Sequence, residues 1–436
     1  MQEAARLSAS IELLTQCESA WKSERPLPSD IIISRYFKER RFIGSKDRGA
    51  IAAFCYLVIR NFAALEWHAE QHNLSGMQAL SIAALLLIQQ KSLGELHLLF
   101  NGERFSPDKL YPKEAAFAKA IAGHALLHRD MPHHVRYNYP AWLEGTLQSS
   151  LGESWRDAIT ALNQEAPVDL RTNTLHVTRD DLLIALRKEG FKVEPTRLSP
   201  LGIRMQTRAP IFTSEYFKRG WFEMQDEGSQ LVIQMLDAKP GQKVIDFCAG
   251  AGGKTLALAA MMQNKGRILA WDTSEKRLGQ MAERLRRAKV DNVQTHVLAS
   301  ENDPFLKRHK ATADAVVVDA PCSGSGTWRR NPDLKWRFRP QDLQELIDVQ
   351  KRILESASRL VKQGGHLLYI TCSFLEAENE SQLETFLSQN KNFRVVTANN
   401  LCSKIIHRTI EDGIIRLTPH QDGTDGFFAS LLQRLE

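Results

Sequence analysis

The chain has 436 residues, 43% of them apolar and 25% charged, the profile of a folded protein of two or three domains. No apolar run approaches the ~20 residues of a membrane span, and the opening MQEAARLSASIELL lacks the pattern of a signal peptide. Six scattered cysteines supply neither a disulfide framework nor a Cys-x-x-Cys metal site, so a reduced, cytoplasmic protein without a metal is expected, and a net charge of +6 permits a polyanionic partner without requiring one.

Residues 1–135 read as all-α. Asp47–Gln71 and Gln78–Gln90 carry apolar residues at three- and four-residue spacing, with breaks at Pro26-Leu-Pro28 and Asn101–Pro107. Residues 136–225 read as a small α+β module, with β-like runs at Val168–Asn173, Leu201–Thr207 and Ala209–Ile211 around a helix at Asp180–Glu189. Residues 226–436 alternate apolar runs with helices. The runs are Lys243–Phe247, Arg267–Trp271, Val293–Leu298, Asp314–Asp319 and His366–Thr371, and the helices include Glu275–Ala288 and Gln341–Leu360. That alternation predicts an α/β domain on a mostly parallel sheet.

The first of these strands runs into Cys248-Ala-Gly-Ala-Gly-Gly-Lys254-Thr255. A glycine turn between strand and helix lets backbone approach a ligand, with helix amides pointing at it. A P-loop would need glycine where Cys248 stands, and a dinucleotide fingerprint would need it at Thr255, so both matches fail. The second strand ends at Asp272, where a carboxylate suits a pair of ribose hydroxyls. Packing alone could also explain such a turn. The fourth strand ends in Asp319-Ala-Pro-Cys322 and the fifth in Thr371-Cys372-Ser373, so two thiols leave strand ends where open α/β sheets bind ligands. Buried cysteines are often only small hydrophobes, but two at neighbouring strand mouths point to chemistry.

Thr327–Pro340 carries five basic residues, two Trp and one Phe against one acid. Cations for phosphates and rings for unstacked bases suit single-stranded RNA, so Arg329, Arg330, Lys335, Trp336 and Arg337 are expected at an RNA surface lining the site's entrance. The competing reading is a basic turn whose aromatics are core.

Cys248–Lys254, Asp272, Asp319–Cys322 and Thr371–Ser373 resemble the motifs of the RNA cytosine-5 methyltransferases of the bacterial Sun/Fmu and eukaryotic nucleolar type. Asn331–Trp336, Glu376–Glu380, Asp425–Phe428, Pro167–Asn173 and Gln225–Gln230 are similar to further family segments, so the likeness spans about residues 165–430. It implies a Rossmann-like class I methyltransferase domain with S-adenosylmethionine as cofactor. Cys372 would be the nucleophile, Cys322 the thiol that helps break the adduct, and Asp319 the acid against both cofactor and base. Cys248, Ala249, Gly250, Ala251, Gly252, Gly253, Lys254, Asp272 and Ser300 would hold the cofactor, with RNA contacts at Arg171 and Asn173. The loop reads CAGAGGK where many members have CAAPGGK, and Ser300 stands where the family usually has an acid near the adenine. Ser45–Arg48 and Tyr139–Trp142 are similar to the antitermination-factor-like RNA-binding domain of bacterial members. That likeness implies ribosomal RNA of the small subunit as the substrate; transfer RNA is the alternative, and a monomer is expected.

The chemistry fits two thiols. Carbon 5 of cytosine becomes nucleophilic only when a thiolate adds to the adjacent ring carbon, and a base and a leaving thiol must then resolve the adduct. A DNA cytosine methyltransferase would not need Cys372, and an amino-group methyltransferase would want an aromatic after Asp-Pro-Pro. The remaining alternative is an RNA-binding assembly factor that has lost activity.

Overall fold

The computed structural model describes residues 1–397 and 413–435. It divides into two compact units, one of Met1–Gln148, Gly152–Gln164 and Trp328–Arg339, the other of Ser149–Leu151, Glu165–Thr327 and Pro340–Glu436. No single described helix is long and apolar enough to cross a membrane.

The first unit is helical, built on Glu3–Lys22, Ser29–Glu39, Ser45–Arg60, Phe62–Glu70 and Met77–Ala83 around buried Leu13, Leu14, Ile51, Cys55 and Val58. The expected stretch Asp47–Gln71 is two helices that meet at 71°. The break is at Asn61, whose side-chain amide turns back to the Leu57 carbonyl at 2.9 Å, the competition with helix backbone that makes Asn a poor interior residue.

Trp328–Arg339 packs into this helical unit, which corrects part of the expected RNA surface. Lys335 is 1% exposed; its ammonium donates to Asn163 Oδ1 at 2.7 Å and lies 5.0 Å from the Trp336 ring. Burial drives its pKa well below the usual lysine value. The Trp336 indole donates to the Ile59 carbonyl at 2.8 Å while its ring packs on Phe62, and Trp328 and Arg329 are buried. Asp333 accepts the Ser29 backbone amide at 2.9 Å and pairs with Arg337 at 3.2 Å. Lys335 and Trp336 therefore hold the helical unit together, and Arg329 is buried; Arg330 and Arg337 are half-buried.

In the second unit, β1 (Val168–Thr172), β2 (Val193–Pro195), β3 (Gly202–Met205) and β4 (Phe222–Met224) form an antiparallel sheet in the order β2-β3-β1-β4. Ala209–Ile211 is not a strand: Pro210 has no amide to donate, and Ile211–Thr213 closes as a 3-10 turn. The expected RNA contacts at Arg171 and Asn173 are also corrected. Arg171 is buried and donates to Gln225 Oε1 at 2.5 Å and to the Gly253 carbonyl at 2.7 Å, and desolvation lowers its pKa to about 10. Asn173 is buried and donates to the carbonyls of Gly220 and Ala288 at 2.9 and 3.3 Å. Both tie the small sheet to the larger one's helices.

The large sheet comprises β5 (Lys243–Asp246), β6 (Arg267–Asp272), β7 (Val293–Val297), β8 (Ala313–Asp319), β9 (Val361–Thr371), β10 (Phe393–Val395), β11 (Ile414–Leu417) and β12 (Phe427–Arg434). Its order is β10-β12-β9-β8-β5-β6-β7, with β11 paired to β12. The pairs from β7 to β9 are parallel, while β12 runs antiparallel to β9. Period-2 alternation sends Val244, Val317, Leu368 and Ile370 to one apolar core and Ile245, Val316, Val318 and Leu367 to the other. Chain order reverses between β5 and β8, which opens a crevice at the carboxyl ends of the strands.

Candidate active site

A cavity of ≈ 370 Å³ occupies that crevice, lined among others by Cys248, Asp272, Leu298, Glu301, Asp319, Cys322, Ile353 and Cys372. Five expected residues from four different strand ends thus meet at one place, in a volume typical of small-ligand sites.

The glycine loop is shaped by its neighbours. Gly252 has φ +85°, and a Cβ there would lie 2.5 Å from Met281 Cγ, so a side chain would push the loop off the helix Glu275–Ala288. Asp272 is buried at the end of β6 and organises the loop: its carboxylate accepts the Gly250 amide at 2.9 Å and the Ser274 amide at 2.7 Å, with Arg277 at 3.4 Å. Lys254, buried in the first turn of the next helix, reaches the Asp319 carboxylate at 2.7 Å. Below the loop, burial pushes the Asp246 carboxyl up to about 7 while Thr255 donates to it at 2.7 Å.

The thiols leave adjacent parallel strands in register, Asp319 opposite Ile370, and the two sulfurs stand 3.4 Å apart. The hydrogen bond to Cys372, followed by burial and the nearby Glu378 charge, holds the Cys322 pKa well above its ordinary value. Burial does the same to Cys248.

Glu378 is a site residue that sequence reasoning passed over. It is fully buried, and its carboxylate accepts from the Ser323 amide at 2.8 Å, the Ser323 hydroxyl at 2.6 Å, the Gln350 amide group at 3.0 Å and the Ser373 hydroxyl. Ser323 and Ser373 each follow one of the two cysteines, so one carboxylate anchors both thiol loops. The Gly326 amide donates to the Cys372 carbonyl at 2.9 Å, and a Cβ on Gly326 would lie 2.3 Å from the Gly426 carbonyl oxygen. The signal was present in the sequence as Glu376-Ala-Glu-Asn-Glu380, a few residues after Cys372.

Ser300 does not line the cavity. Its hydroxyl accepts the Asn302 amide at 3.2 Å, and the next residue, Glu301, lines the cavity with its carboxylate held by Arg352 at 2.5 Å. Leu298 and Ile353 supply flat apolar wall beside it. The lining fits an adenosyl ligand in its carboxylate at Asp272 for a diol and its apolar wall at Leu298 and Ile353 for a base, while of the glycine loop Cys248 alone reaches the cavity.

The family described as 16S rRNA methyltransferase RsmB/F matches residues 233–433, and the RsmF/B-like ferredoxin-like domain matches residues 139–212. Ribosomal RNA small subunit methyltransferase B of Pectobacterium atrosepticum is 30% identical over 420 residues, 90% of this chain and 92% of that one. A probable ribosomal RNA small subunit methyltransferase B of Synechocystis is 32% identical over 304 residues, 69% and 67% of the two chains. Among solved structures, that of PH0851 superposes with TM-score 0.80 at 26% identity, covering 100% of this chain and 99% of the other. A methyltransferase homolog from Pyrococcus horikoshii gives TM-score 0.59 at 27% identity over 69% of this chain and 97% of its own.

Proposed function

Since the chain belongs to the 16S rRNA methyltransferase RsmB/F family, and is by that membership an S-adenosylmethionine-dependent RNA cytosine-5 methyltransferase, we propose that it works through a covalent bond between Cys372 and the target base. The observation that carries this reading is the pair of sulfurs 3.4 Å apart in the cavity that Asp272 and Asp319 also line.

The Cys372 thiolate adds to carbon 6 of cytosine, and the electron pair displaced from the 5,6 double bond makes carbon 5 nucleophilic. Bound S-adenosylmethionine supplies the electrophilic methyl group. The proton lost by the Cys372 thiol is taken up at the ring nitrogen, which leaves the adduct ring neutral, while Asp319, oriented by the Lys254 ammonium and lining the same cavity, accepts a hydrogen bond from the amino group of the base. A base then removes the carbon-5 proton, the pair re-forms the double bond, and Cys372 leaves as thiolate. Cys322, whose sulfur stands 3.4 Å from that of Cys372, assists that departure by donating its S–H to the leaving sulfur.

Asp272 and the backbone from Cys248 to Gly253 hold the cofactor, with Leu298 and Glu301 beside its adenine in the role expected of Ser300. Asp272→Asn is expected to weaken S-adenosylmethionine binding by about 10- to 100-fold, the worth of one or two hydrogen bonds to a charged acceptor. Isothermal calorimetry measures it, and an unchanged affinity would remove Asp272 from the site.

The substrate is ribosomal RNA of the small subunit, the helical unit binds it, and the enzyme acts as a monomer. Transfer of labelled methyl to protein-free small-subunit RNA, with the product identified as 5-methylcytosine by mass spectrometry, tests the reading. Label only on transfer RNA, or on no RNA, would contradict it.

A further inference from the structure

Arg329, Lys335, Arg171 and Asn173 are buried and Trp336, Arg330 and Arg337 are half-buried, so exposed cations and rings for RNA are sought on other surfaces as well. The turn between the helices Ser29–Glu39 and Ser45–Arg60 has both. Phe42, at its tip, is 80% exposed, the most exposed of the large apolar side chains described.

This exposure is built. Ile43, the next residue, is buried in the helical core, and the Arg48 guanidinium donates to the Ile43 carbonyl at 2.7 Å and to the Arg41 carbonyl at 3.4 Å. The turn is therefore clamped on both sides of Phe42, and the ring is presented outward on a fixed backbone. An exposed phenylalanine ring gains nothing from folding, whereas a rigid one stacks on a base at little entropic cost.

Residues 35–48 contain six cations and two acids. Both acids are engaged: Asp47 with Arg6 at 3.3 Å, and Glu39 with Arg40 at 3.6 Å. Arg40 is further held by Glu12 at 2.7 Å and lies over the Tyr36 ring. Among the described residues Arg35, Lys38, Arg41 and Lys46 enter no ion pair, and all four are exposed.

We propose that this turn is a single-stranded RNA docking site, in which Phe42 stacks on an unpaired base and Arg35, Lys38, Arg41 and Lys46 bind the flanking phosphates. The inference rests on the reading of RNA as the substrate. A duplex would offer the cations its backbone but no free base face to Phe42, so an unpaired segment is the form that satisfies both.

The test uses the full chain and a labelled single-stranded RNA oligonucleotide, with affinity followed by anisotropy across a salt series. Phe42→Ala is expected to weaken binding by about tenfold with the salt slope unchanged, and Phe42→Trp to restore it. Arg41→Ala with Lys46→Ala is expected to lower the slope by about 1.4, two phosphate contacts at ~0.7 each on a single strand. Affinities and slopes within error of the parent would overturn the proposal, as would equal loss of duplex binding in Phe42→Ala. Methyl transfer by the parent protein to small-subunit RNA is measured in parallel. Its failure would strike the functional reading, whereas an active parent with indifferent variants would strike the docking site alone.

Discussion

Cys372→Ala is expected to abolish methyl transfer, with kcat falling by about 10⁴-fold or more, while S-adenosylmethionine affinity stays within about threefold. The asymmetry follows from where the residue sits. Cys372 leaves β9 at the mouth of the cavity, and the loop that orders the cofactor hangs on Asp272 at the end of β6. Removing a sulfur from the first leaves the second intact. Without the thiolate, carbon 5 of cytosine has no enamine-like character, and positioning it beside a methyl donor gains little. Cys322→Ala should instead retain the first half of the reaction, since the nucleophile survives. Full loss in Cys322→Ala with a working Cys372→Ala would exchange the two roles.

The second large effect is expected at Glu378. In Glu378→Leu, one backbone amide, two hydroxyls and the Gln350 amide group lose this carboxylate, although Gln350 keeps the Pro321 carbonyl at 2.9 Å and the two hydroxyls lie 3.1 Å apart. Unsatisfied buried groups cost about 1–3 kcal/mol each, and partial relaxation leaves an expected loss of about 4 kcal/mol in stability. Activity should fall below detection even at temperatures where the variant stays folded, because Ser323 and Ser373 no longer hold their neighbouring cysteines in register. Glu378→Gln keeps the shape and one acceptor oxygen, and the hydroxyls can rotate to meet its amide. It should fold with a modest loss of stability and lose about tenfold in kcat. Thermal denaturation and single-turnover methylation separate the two effects. A Glu378→Leu protein as active as the parent would show that the cysteine loops are held by something else.

The parts of this molecule that were legible in its sequence are those set by local pattern. Buried strands such as Asp314–Asp319 are near-continuous apolar runs, and the helices between them carry their own periodicity, so the parallel sheet and the crevice at its strand ends follow. Cys322 and Cys372 converge because each closes a strand, and the sheet makes those strands neighbours. Long-range partners were not legible. Lys335 reads as an RNA-facing cation until Asn163 is seen 172 positions earlier, holding its ammonium in the interior. Arg171 reads the same way until Gln225 and the Gly253 carbonyl enclose it. Charge and aromatic content state what a segment could contact, and only tertiary packing decides which face turns inward. Short strands were missed for a related reason: Val193–Pro195 and Phe222–Met224 are three residues each, too brief for an alternation to show. The acidic run at Glu376–Glu380 read as a family likeness, while the chemistry of Glu378 emerged from its burial beneath both cysteine loops.

A covalent bond from Cys372, released with help from Cys322, is tested by expressing Cys322→Ala, Cys372→Ala and the double variant in bacterial cells. Each is then resolved on a denaturing gel with and without ribonuclease. A slow-migrating, ribonuclease-sensitive band is expected for Cys322→Ala alone, in which the adduct forms and cannot be resolved, and none when Cys372 is also absent. A band in Cys372→Ala, or its persistence in the double variant, would contradict that mechanism.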